Sequence, residues 1–76
     1  MSNREDLFVK KFGENLKKLR VQKDVTQEKL AFTIGIEISQ ISRIERGVVS
    51  TSIASAYKIA NALELDVKQL FDFTLD

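Results

Sequence analysis

Apolar positions fall at helical spacing almost from the start of the chain. Phe8, Phe12, Leu16 and Leu19 recur at steps of four, four and three, which lines them along one helix face. Lys10, Lys11, Lys17 and Lys18 fall largely off that stripe and read as its solvated side. The pattern predicts a first helix over residues 5–23, broken at Asp24 and Val25. Thr26 suits an N-cap, because its hydroxyl accepts an otherwise unpaired amide proton of the first turn. Gln27 and Glu28 then place polar and acidic groups at the positive end of a second helix. Leu30, Ala31 and Ile34 form its inward face, and Gly35 ends it.

A third helix is predicted from Ile38 to Arg46, with Ile41 and Ile44 on one side and Gly47 closing it. Val48–Ser52 reads as a loop, with Ser50 as cap of a fourth helix. That helix carries Ile53, Ala56, Ile59, Ala60 and Leu63 inward. Beyond Glu64 and Leu65, Asp66 caps a short fifth helix over residues 66–73, with Val67, Leu70 and Phe71 facing the core. The expected fold class is all-α, five helices in a single domain over residues 1–76.

Composition narrows the function more than the fold. With 76 residues the chain supports one small core, and with no cysteine it has neither a disulfide nor a thiolate zinc site. Dimerisation is the remaining way to bury more surface. No histidine, no cysteine nucleophile and no glycine-rich phosphate loop are present, so an enzyme is not expected. Neither a metal, a cofactor nor a small-molecule ligand is called for. The start Met-Ser-Asn-Arg-Glu-Asp does not resemble a signal peptide, and no apolar run is long enough to span a membrane. A cytoplasmic, nucleoid-associated protein is expected. Net charge is only +1, yet residues 1–46 carry +3 and residues 47–76 carry −2. The positive excess lies in the half of the chain that contains the second and third helices, and only modestly so.

The block Thr26–Gly47, TQEKLAFTIGIEISQISRIERG, carries the functional signal. Two short helices joined at one glycine must pack steeply, which requires a small residue at their closest approach. Ala31 supplies it four residues before Gly35, and Ile41 falls six residues after the glycine, opposite Ala31. Ile36 plugs the turn. This is the spacing of a helix-turn-helix, whose second helix enters the DNA major groove.

The sequence resembles the Cro/C1-type (XRE) helix-turn-helix family, which includes phage repressors and restriction–modification controllers. The resemblance covers residues 12–72 and rests on LKKLR (16–20), TQEKLA (26–31), ISRIERG (41–47), KIANAL (58–63) and QLF (69–71). It implies base-reading roles for Glu37, Ile38, Ser39, Gln40 and Arg43. An arginine meets guanine O6 and N7 through two parallel hydrogen bonds, which discriminate against other bases by about 1–3 kcal/mol. Glutamine suits adenine, isoleucine a thymine methyl, and a carboxylate a cytosine amine. The resemblance also implies phosphate contacts from Gln27, Lys23, Arg46, Ser50, Thr51 and Ser52, and a structural salt bridge between Arg20 and Glu45. This chain departs from relatives in having Glu37 where serine or threonine is common, and in lacking basic residues over 48–52.

Tyr57, Phe71, Phe73 and Leu75 are aromatic or apolar residues that the predicted core leaves over or places at its carboxyl-terminal edge. Such residues on a small domain mark an interface, and in relatives the last helices form the dimer contact. A frayed tail is the plainer alternative for the last of them. The expected function is a sequence-specific transcriptional regulator, a repressor or controller, binding a palindromic operator as a homodimer. An antitoxin, or a protein-interaction adaptor on the same fold, is the alternative.

Overall fold

The computed structural model describes residues 3–76. Met1 and Ser2, where the leader reading begins, lie outside the described residues. Four α-helices follow in order: α1 (Asn3–Gln22), α2 (Gln27–Ile34), α3 (Ile38–Glu45) and α4 (Ile53–Ala62). A 3₁₀ turn over Val67–Phe71 completes the order, and no strand occurs among the described residues. None of these helices is long and apolar enough to cross a membrane.

The core gathers the stripes of all four helices. Phe12 and Leu16 of α1 meet Leu30 and Ala31 of α2, Ile41 and Ile44 of α3, and Ala56, Ile59 and Ala60 of α4, with Leu63 and Leu70 beside them. Ile34 and Ile36 pack against this cluster from the helix-turn-helix corner. Thr26 caps α2 by accepting from Lys29 N at 3.0 Å. At the corner Gly35 takes φ 78°, a left-handed conformation that side-chain-bearing residues rarely adopt. The Ala31 carbonyl then accepts from both Gly35 N at 2.9 Å and Ile36 N at 3.0 Å, which closes α2.

Several expectations are corrected. The cap of α4 is Ser52, which accepts from Ser55 N at 3.0 Å, and not Ser50. Ile53 is therefore the first residue of α4, beyond the end of the core, and it is 90% exposed. The predicted fifth α-helix over 66–73 is a 3₁₀ turn of five residues instead. Leu70 stays buried within that turn, and Phe73, beyond its end, packs against the core. Phe71 and Val67 are both exposed, contrary to the expectation that they face the core. Phe8, at the start of the α1 stripe, remains 41% exposed.

The 3₁₀ turn is fixed to α1 by one buried carboxamide. Asn15 Nδ2 donates to the carbonyls of Gln69 and Leu70, each at 2.9 Å. Rings finish the seam, with Phe73 at 5.1 Å from Phe8 and Phe71 at 5.0 Å from Phe12 between centroids.

Candidate nucleic-acid interface

Helix α3 has two unlike sides. Ile41, Ile44 and Glu45 are buried, whereas Ile38, Ser39, Gln40 and Arg43 all face solvent. Ser39 and Arg43 stand one turn apart and share an exposed strip of the helix. Glu37 is the N-cap residue with extended backbone, and its side chain makes no bond to the first turn. Its carboxylate is exposed beside the same strip. The structure thus brings the five sequence-derived base readers onto one end and one side of α3.

That exposed side is held in place by buried polar ties. Glu45 Oε2 accepts from Arg20 Nε at 2.6 Å and Glu45 Oε1 from Arg20 Nη2 at 3.0 Å, a two-pronged pair between α1 and α3. Both side chains are almost out of water, at 9% exposure for Arg20 and 2% for Glu45. The third prong of the guanidinium, Nη1, donates to Val25 O at 2.8 Å and pins the turn into α2. Gln27 Nε2 donates to Glu45 Oε1 at 2.8 Å, so the first residue of α2 joins the same network. Gln27 is half-buried there and uses one amide hydrogen on Glu45.

A second fastening is made of backbone. Gly13, buried in the middle of α1, lies so close to the end of α3 that an added Cβ would stand 2.3 Å from Ile44 O and 2.6 Å from Glu45 O. No residue other than glycine fits that approach unless the helices move apart. Sequence reasoning did not find Gly13 or Asn15. The signals were present: a glycine inside a helix costs about 0.5–1 kcal/mol relative to alanine and so points to a packing reason. Asn15 sits three residues after Phe12 and four before Leu19, a polar residue inside the apolar stripe.

The remaining phosphate candidates are dispersed. Arg46 and Ser50 are exposed after α3, and Thr51 is half-buried. Ser52 caps α4 by accepting at its hydroxyl oxygen, which leaves its O–H to donate. Lys23 is exposed in the turn that follows α1. Of the interface candidates, Tyr57 and Phe71 are exposed, whereas Phe73 and Leu75 are half-buried.

A helix-turn-helix family model matches residues 16–70, from the middle of α1 to the 3₁₀ turn. The chain belongs to the helix-turn-helix family. Among its relatives in that family, the control protein C.BamHI of Bacillus amyloliquefaciens is 41% identical over 64 residues, covering 83% of this chain and 79% of that protein. The control protein C.MunI of Mycoplasma sp is 37% identical over 62 residues, covering 80% of this chain and 84% of that protein. The crystal structure of the restriction–modification controller C.AhdI from Aeromonas hydrophila superposes with a TM-score of 0.80 at 38% identity, over 83% of this chain and 96% of that one. The shared fold places Ile38–Glu45 as the second helix of the motif.

Proposed function

We propose that this chain is a DNA-binding transcriptional regulator of the restriction–modification controller type, cytoplasmic and associated with the nucleoid, that binds a two-fold symmetric operator as a homodimer. The observation that carries the reading is the exposed strip of α3. Ser39 and Arg43, with Glu37, Ile38 and Gln40 around them, offer base-reading groups on a helix locked to α1 and α2 from behind. A rigid helix meets base edges without losing much backbone freedom on binding. Arg43 is assigned to guanine, and Gln27, Lys23, Arg46, Ser50, Thr51 and Ser52 to the phosphates that fix the register.

Dimerisation is supported by what the fold leaves uncovered. Ile53 and Tyr57, one turn apart on α4, are both exposed, and Ile53 borders an apolar depression with Phe8 and Phe71. Phe73 instead packs inside the protomer, so Ile53 and Phe8 replace it in the proposed contact. A surface of this kind matched to its own copy makes an isologous pair. The two α3 helices then reach successive major grooves, with half-site centres about one helical turn, ~34 Å, apart.

Ile53→Asp is the test of the paired arrangement. An exposed first-turn position tolerates aspartate within the protomer, since acidic groups suit a helix N-terminus. Sedimentation is expected to show a dimer for the wild type and a monomer for the variant. Binding to a palindromic duplex is expected to fall by at least an order of magnitude, and binding to a half-site by much less. A variant that remains dimeric and binds the full site normally removes this face from the dimer. A wild type that binds no duplex at low salt removes the regulator reading.

A further inference from the structure

We propose that Lys10 of α1, outside the helix-turn-helix, is a phosphate contact that supplies the cation missing from the loop after α3. Val48–Ser52 contains no lysine or arginine, so beyond Arg46 this edge offers only hydroxyls and backbone amides to a phosphate. The fold brings α1 to that edge. Lys10 packs directly on Gly47, so closely that an added Cβ at Gly47 would stand 2.7 Å from Lys10 Cα and 3.1 Å from Lys10 Cβ. The residues just before it, Phe8 and Val9, line one depression with Ser50, Thr51 and Ser52. The first half of α1 therefore runs along the whole loop, and Lys10 stands exposed where the chain leaves α3.

Position on the helix separates Lys10 from Lys11 and Lys18 of α1. Its packing on Gly47 at the end of α3 separates it from Lys17, two turns further along the same face. Three residues before Gly13, it lies near the side of α1 that meets α3, whereas Lys18 is displaced well around the helix toward solvent. The Lys10 ammonium has no hydrogen-bond or ion-pair partner among the described residues. A lysine stem is flexible and its ammonium is a compact point charge, which suits a phosphate whose position is set by other contacts.

The inference rests on α3 being the helix that enters DNA, and its test is built to fail separately from that reading. Wild type, Lys10→Gln, Lys10→Arg and Lys18→Gln are titrated with a short duplex of mixed sequence over rising salt. One lost phosphate contact lowers the slope of log K against log salt by about 0.9. Lys10→Gln is therefore expected to lose roughly 3-fold less affinity than wild type between about 50 and 200 mM salt, starting from weaker binding. Lys10→Arg is expected to keep the wild-type slope, and Lys18→Gln to match it as well. A Lys10→Gln slope equal to wild type overturns the proposal. So does a lowered melting temperature with an unchanged slope, because the charge would then act only on the carbonyl end of α3. No duplex binding by the wild type defeats the DNA reading itself, and Lys10 with it.

Discussion

Glu45→Ala is expected to lose about 3–5 kcal/mol of stability, the usual result of stripping one partner from a buried ion pair. The carboxylate serves three donors at once, two from Arg20 and one from Gln27. With it removed, a guanidinium that is nearly out of water keeps only Val25 O as partner among the described residues. For a domain of this size the loss corresponds to a melting temperature lower by on the order of 15 °C or more, read by circular dichroism. An exposed pair would cost under about 1 kcal/mol, so a small shift would show that the pair is solvated in solution. The double variant Arg20→Met with Glu45→Leu is expected to recover much of the loss, because apolar groups of similar volume remove both charges together. Its DNA affinity then separates two roles. Recovered stability without recovered binding would mean that the pair orients α3 beyond simply holding the fold together.

Gly13→Ala sets two effects of opposite sign against each other. Alanine in a helix interior is favoured over glycine by about 0.5–1 kcal/mol. Here the new methyl meets two backbone carbonyls of α3 within 2.6 Å. Neither carbonyl can swing aside as a side-chain tip would, so α3 itself must shift. Overpacking of this kind costs about 1–3 kcal/mol, and more where backbone has to move, so the clash wins. The expected result is a melting temperature lower by roughly 5–10 °C. DNA affinity is expected to fall by more than the stability loss explains, because α3 is displaced from Gln27 and α2. A higher melting temperature than wild type would show that the two helices do not approach this closely.

Much of this fold is legible in the residues because local signals and packing agree. Phe12 and Leu16 set the buried face of α1, Thr26 starts α2, Gly35 ends it, and Ala31 and Ile41 fix the corner. The end of the chain was harder to read. An apolar triplet at 67, 70 and 71 suits an α-helix, but a segment of five residues closes as a 3₁₀ turn, which buries Leu70 and leaves Val67 and Phe71 exposed. Ile53 looked inward because its spacing to Ala56 is helical. Its exposure follows from where the helix begins, and Ser50 and Ser52 are equally suitable caps on sequence alone. Among the site residues, the strip Ser39–Arg43 follows from the family resemblance, while spacing alone marks Ile41 and Ile44 as the buried side of α3. The fastenings behind it follow from neither, since Gly13 and Asn15 act on partners about 30 and 55 residues away that no local pattern announces.

The central claim is that α3 reads DNA sequence through its exposed side, and selection of bound duplexes from a random pool tests it most directly. The wild type is expected to enrich a two-fold symmetric motif with a guanine at one position of each half-site. Arg43→Ala is expected to lose that guanine preference, with weaker enrichment overall, by the loss of about 1–3 kcal/mol of discrimination per half-site. An unenriched wild-type pool, or a motif identical in the two proteins, would contradict the assignment of α3 as the reading helix.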